Sequence, residues 1–232
     1  MLGDLWSFQG RYRTLHLTWI AFFLTFVVWF NLAPLATTVK ADLGLTVGQI
    51  RTVAICNVAL TIPARVLIGM LLDKFGPRIT YSSILVFSAI PCLLFASAQD
   101  FNQLVVARLL LSIVGAGFVI GIRMVAEWFP PKEIGLAEGI YGGWGNFGSA
   151  FSALSMVALA GFLSFSGGFE LPTGAVLNWR GAIALTGIVS AVYGLFYFFN
   201  VTDTPPGKTY QRPEKTAGLE VTSMRDFRGL LG

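Results

Sequence analysis

At 232 residues, with hydrophobic side chains at 55%, charged ones at only 12% and a mean hydropathy of +0.70, the chain is too apolar for a water-soluble domain of its length. Its net charge of +4 would suit nucleic acid only as a surface patch, and the basic residues fall instead where the loops of a membrane protein would be, so no nucleic acid is expected as a partner. The two cysteines, Cys56 and Cys92, lie inside apolar runs without metal-type spacing, and no nucleotide loop, metal-ligand cluster or nucleophile–base set points to an enzyme or a cofactor.

In chain order, residues 1–15 are polar and aromatic, carry Arg11 and Arg13, and lack the short apolar core and cleavage site of a signal peptide. Apolar segments long enough to cross a bilayer follow at about 16–39, 50–72, 79–98, 101–128, 134–163 and 181–201. The expectation is an all-α membrane protein, a bundle of six transmembrane helices over 16–201. Pro34, Gly76 with Pro77, and Pro130 with Pro131 supply its punctuation. With the N-terminus inside, inner segments hold Arg11, Arg13, Lys74, Arg78, Lys132, Lys208, Arg212, Lys215, Arg225 and Arg228. Outer segments or outer helix ends hold only Lys40, Arg51, Arg108 and Arg180. The positive-inside bias therefore predicts a multi-pass protein of the cell membrane with both termini in the cytoplasm. The Gly-rich stretch between the fifth and sixth segments reads as an outer surface connection. Residues 202–232 read as a polar cytoplasmic linker that stops where a seventh apolar segment would begin.

Within the second segment, Arg65 interrupts a run that is apolar from Val58 to Leu72. It lies about 12 Å in from Asp73 at ~1.5 Å per residue, near the midplane of a ~30 Å core and too deep to snorkel. A guanidinium there costs roughly 2.5–3.5 kcal/mol on insertion scales and cannot discharge itself by losing its proton. Asn57 and Thr61 precede it at i−8 and i−4, so the three should share a polar stripe turned away from lipid. The segments contain no carboxylate at comparable depth, which makes Arg65 a seat for a visiting anion.

At the end of this segment, Gly69-Met-Leu-Leu-Asp73-Lys74-Phe75-Gly76-Pro77-Arg78 resembles the GxxxDxxGxR loop signature of the major facilitator superfamily. Arg108 with Gly115 and Gly117 is similar to that superfamily's fourth-helix pattern, and Trp179-Arg180 to the pair that opens its sixth helix. The resemblance implies the N-terminal half of a major facilitator fold. It also implies a conformational latch drawn from Gly69, Asp73, Gly76, Arg78 and Arg108.

The fifth segment carries Gly135, Gly139, Gly142, Gly143, Gly145, Asn146 and Gly148. Glycine costs about 1 kcal/mol in an exposed helix interior, so this density calls for close helix packing. With Phe129-Pro130-Pro131-Lys132-Glu133 before it and Arg65 in the second segment, it resembles the nitrate/nitrite porter family, most closely the permeases of photosynthetic bacteria. In that family a second-helix arginine and a counterpart on the eighth helix hold the planar anion while the glycine signature lines the path. The resemblance therefore implies nitrate or nitrite as substrate, Arg65 as one clamp, and Gly142, Gly143, Gly145 and Asn146 along the path. It also implies a missing six-helix half, or a second copy of the chain, as partner, since no eighth helix is present. The planar fork of a guanidinium suits two oxygens of a trigonal anion.

Two readings stand for Asn146, substrate contact or packing, and two for Asn31, which either joins the cavity or bonds across to another helix. Arg123, four residues before Glu127, reads as half of an intrahelical ion pair, and His16 as an interface residue. Two rival functions remain: a porter for another small or organic anion, and a sensor or assembly protein on the same scaffold.

Overall fold

The computed structural model describes residues 7–210, so the expectations for Arg212, Lys215, Arg225, Arg228 and the remainder of the linker lie outside the described residues. Six helical spans long and apolar enough to cross a membrane run over Gly10–Asp42, Val47–Phe75, Pro77–Ser97, Phe101–Trp128, Pro131–Ser166 and Trp179–Asn200. Each lies within a few residues of an apolar segment, and the first starts earlier because its amphipathic end, from Gly10, is already helical.

Four of the spans are broken along their length, the second, third and fourth near their middles. The first consists of α1 (Gly10–Phe30) and α2 (Ala36–Asp42), joined by a 3-10 turn at Ala33–Leu35 that contains Pro34. The second breaks at Leu60 between α3 (Val47–Ala59) and α4 (Thr61–Phe75), because Pro63 has no N–H to offer the carbonyl of Ala59. The third breaks at Ser88 between α5 (Pro77–Phe87) and α6 (Ala89–Ser97) for the same reason, with Pro91 four residues beyond Phe87. The fourth joins α7 (Phe101–Leu111) to α8 (Gly117–Trp128) through a 3-10 turn at Ser112–Ala116. By contrast the fifth, α9 (Pro131–Phe162), and the sixth, α10 (Trp179–Asn200), are continuous. A two-residue antiparallel ribbon, β1 (Phe169–Glu170) with β2 (Val176–Leu177), links them.

Helix α1 runs through the bundle against α9, α8 and α10, while α10 covers α5 and α6. The α1–α9 seam is tight because Gly145 receives the ring of Phe22 and Gly148 lies on the carbonyl of Phe23. At Gly148 a Cβ would overlap main-chain atoms, so only glycine permits this approach. Ser152 extends the seam by donating to the Val27 carbonyl at 3.3 Å. Only 22% of the most apolar stretch of the second and fifth spans is buried, against 56% of the fourth. The second and fifth spans thus carry the faces this bundle leaves open, with Ile62 at 78% and Leu154 at 78% exposure.

Candidate functional site

The most heavily built polar site is centred on Arg108, the eighth residue of α7, which is 0% exposed. Its Nη2 donates to Asn31 Oδ1 at 2.8 Å and its Nη1 to Asn57 Oδ1 at 3.2 Å, while the guanidinium lies 4.4 Å from the ring centre of Phe95. Asn31 donates onward to Thr186 Oγ1 at 3.0 Å, with Cys92 Sγ 3.8 Å from the same amide. Asn57 is clasped by Trp29, whose indole donates to the Asn57 carbonyl at 2.7 Å and whose carbonyl accepts from Asn57 Nδ2 at 2.8 Å. Five spans therefore meet at one cation. Placing Arg108 at an outer helix end needs correcting: charge near a segment boundary reads as interfacial, but this side chain points inward onto two amides. The cross-bonding role of Asn31 is the one seen, and the buried Cys92 is part of the same cluster.

The polar stripe of Asn57, Thr61 and Arg65 is not continuous. The break at Leu60 turns its first two residues inward: Thr61 is buried and donates to the Ser112 carbonyl at 3.2 Å, while the Leu60 N–H donates to Ser112 Oγ at 3.2 Å. Ser112 accepts from both the Leu60 N–H and the Thr61 hydroxyl at this joint, and nothing in the local spacing of either helix announces it. Beyond the joint Arg65 is exposed on α4, about 15 Å from Phe75 at ~1.5 Å per residue. It has no hydrogen bond, ion pair or ring contact among the described residues. A permanent cation at mid-span, on an open face and without a resident carboxylate, can receive an anion with both edges of its fork.

On α9 the signature residues divide by face. Gly145 and Gly148 are buried in the seam with α1. Gly142 and Gly143 would meet nothing within 4 Å if given a Cβ, and Gly143 lines a shallow groove with Gly135, Gly139, Trp144 and Phe147. Asn146 is exposed on that open side and donates to its own helix at the Gly142 carbonyl, 2.7 Å away.

At the end of the bundle where α4 meets α5, Gly76 turns the chain at φ +82°. Asp203, just past α10, fits against it and accepts from the Arg78 N–H at 2.7 Å. The Arg78 guanidinium lies 4.7 Å from the ring centre of Phe198. Gly69 has no neighbour within 4 Å of an added Cβ, and Asp73 is exposed. Tyr210 donates to the Leu72 carbonyl at 3.0 Å, and burial pushes its phenol up from the ordinary value. Residues 203–210 thus strap the ends of α4 and α5, through a carboxylate that sequence reasoning missed because it lies 125 positions from its partner. The Arg123–Glu127 ion pair forms at 2.8 Å. His16 is buried, stacks on Phe8 and accepts from the Trp19 indole at 3.0 Å.

Comparison with known proteins adds three findings. A family model described as Major Facilitator Superfamily matches residues 18–231. The chain is 62% identical over 245 residues to the nitrate/nitrite transporter NrtP of Picosynechococcus sp., and 59% identical over 231 residues to that of Nostoc punctiforme. All of this chain is covered in both alignments, with 46% and 45% of those proteins, so it spans about half the length of the curated relatives it matches. Among solved structures, a bacterial homolog of the human lysosomal transporter Spinster, inward-facing and unoccupied, superposes with a TM-score of 0.71 at 21% identity. That match covers 96% of this chain and 49% of the other, a likeness of fold.

Proposed function

The chain belongs to the major facilitator superfamily, and on that premise we propose that it moves nitrate, nitrite or both across the cell membrane as the N-terminal half of an alternating-access transporter. Arg65 carries the reading, as an exposed guanidinium at mid-span with no partner among the described residues. The open faces of α4 and α9 form one wall of the pathway, with Asn146, Gly142 and Gly143 along it. A six-helix C-terminal half, or a second copy of this chain, supplies the opposing wall and the second cation. Both termini and the 202–232 linker lie in the cytoplasm, where Gly69, Asp73, Gly76, Arg78 and Asp203 latch one of the two states. The chemistry is translocation, with no catalytic step and no cofactor. Asn31, Asn57, Thr61 and Arg108 support the pathway from behind, since their side chains bond protein groups.

The test is uptake into liposomes by the natural protein that contains this chain. Arg65→Lys keeps the charge and loses the planar fork, a charge-assisted hydrogen bond that should lower nitrate affinity roughly 10- to 100-fold with insertion unchanged. A lysine variant with near-normal nitrate affinity would refute the role given to the fork. Competition by formate and larger carboxylates separates nitrate from other anions, and a protein that moves no anion would favour the sensor or assembly alternative.

A further inference from the structure

We propose that Arg108 sets the strength of anion binding at Arg65 through its electric field, without touching the substrate. The proposal rests on Arg65 being the anion seat. Every group that holds Arg108 is neutral: the amide oxygens of Asn31 and Asn57 and the face of Phe95. Its Nε is buried with no hydrogen-bond partner among the described residues. A cation kept only to cross-link helices would be stabilised better by a carboxylate, and one amide oxygen replaced by a carboxylate oxygen would provide it. The carboxylates of the described residues are engaged elsewhere or lie at span ends. Asp42 accepts from Trp179 and lies beside Arg180, Asp100 caps α7, and Glu127 and Glu133 pair with Arg123 and Arg11. Asp73 and Asp203 sit at the turn between α4 and α5, Glu138 is near the start of α9, and Glu170 is exposed in the ribbon between α9 and α10. The charge of Arg108 therefore stays uncompensated inside the bundle.

Its reach can be sized. Arg108 bonds Asn57, and Arg65 follows eight residues later across the Leu60 joint, so the rise along the span from that contact to Arg65 is about 12 Å at ~1.5 Å per residue. With an effective dielectric constant of about 20, unit charges at that distance interact by about a factor of ten in binding. The same field repels the unoccupied Arg65 guanidinium, and a bound anion relieves that repulsion. A field is blind to shape, so nitrate, nitrite, thiocyanate and bromide should all gain by a similar factor, whereas the fork of Arg65 favours planar oxyanions.

The discriminating variant is Asn31→Asp in the full natural protein. Asn31 is 0% exposed and contacts Arg108 Nη2, the Thr186 hydroxyl and the Cys92 thiol; the guanidinium and the thiol can donate to a carboxylate of the same size, and the Thr186 hydroxyl does so on turning from the Ile183 carbonyl, to which it donates at 2.8 Å. Asn31→Asp therefore preserves the cross-link while cancelling the charge. We expect its unfolding temperature to match or exceed that of the unsubstituted protein. Its affinity should fall about tenfold for all four anions alike, measured by titration of each anion against intrinsic tryptophan fluorescence. Unchanged affinity in a folded Asn31→Asp protein overturns the proposal, since a purely structural Arg108 gives that result. A loss confined to the planar anions also overturns it, by making Asn31 a substrate contact. If Asn31→Asp does not fold, Arg108→Gln removes the charge while keeping an amide toward Asn31, and unchanged anion affinity there is equally fatal. The unsubstituted protein serves as the separate arm: if it binds none of the four anions, the reading of Arg65 itself has failed, and this is seen before any variant ratio is taken.

Discussion

The α1–α9 seam offers a test in which one methyl group separates two glycines of the same helix. In Gly148→Ala the new Cβ would overlap the Phe23 carbonyl oxygen and press on Phe26 Cβ at 3.0 Å and the Phe23 carbonyl carbon at 3.1 Å. Those are largely main-chain atoms, and α1 cannot slide away. Asn31 is bound to Arg108, Thr18 lies 3.0 Å from the Tyr197 hydroxyl, and Tyr193 donates to the Leu17 carbonyl at 2.8 Å. Overpacking of this kind costs typically 1–3 kcal/mol, so the folded-to-unfolded ratio should drop roughly 5- to 150-fold. In Gly142→Ala, six residues earlier on the same helix, the same methyl meets nothing within 4 Å and gains up to about 1 kcal/mol of helix propensity. Unfolding in mixed detergent micelles, followed by tryptophan fluorescence, should therefore place Gly148→Ala well below the parent and Gly142→Ala at or above it. The reverse order, or a Gly148→Ala protein as stable as the parent, would refute the packing account. The geometry also moves the sequence-based argument about close approach from Gly142 to Gly145 and Gly148. A leucine at 142 has room within this bundle and can impair transport only through what faces it across the pathway.

Two further outcomes are expected. Asp203→Ala leaves the Arg78 N–H without its carboxylate, a cap worth about 0.5–2 kcal/mol, and should speed proteolysis at Gly76–Arg78, whereas Asp203→Asn, still able to accept, should do so less; equal rates in all three proteins would remove Asp203 from the latch. Cysteines at the exposed Thr173 and Thr209 avoid the positive φ of Gly167 and Gly207, and should label from outside and inside respectively; labelling of both from one face would contradict the proposed topology.

The spans were legible because the signal for a bilayer crossing is length of apolar sequence, and an apolar run of about twenty residues satisfies its backbone hydrogen bonds in lipid as a helix. Their breaks were harder to read. Pro63 and Pro91 sit inside apolar runs, and hydropathy does not register a missing N–H. The geometry of the joint beside Pro63 depends on Ser112, 51 residues beyond Thr61 on another span, whose carbonyl accepts from Thr61. The expectation of an anion at Arg65 rested on a negative observation, the absence of a carboxylate at its depth, and among the described residues Arg65 has no ion pair. The same observation applied to Arg108 and went unused there, because an arginine eight residues into a span passes for a helix-end charge.

That difference between the two arginines is one of partners more than of depth. Two amide oxygens and an aromatic face are enough to hold Arg108 inside the bundle, so a guanidinium in these spans does not require a resident anion to be buried. Arg65 could have been enclosed in the same way, since Asn57 and Thr61 precede it on the same span. Instead the Leu60 joint spends both of those polar residues on the fourth span and on Trp29, and leaves Arg65 facing outward. One cation is thus satisfied by neutral dipoles and keeps its field, while the other keeps its donors unspent. On the proposed reading, an anion arriving at the open face meets a fork that none of the described residues occupies, backed by a charge that none of the described carboxylates cancels.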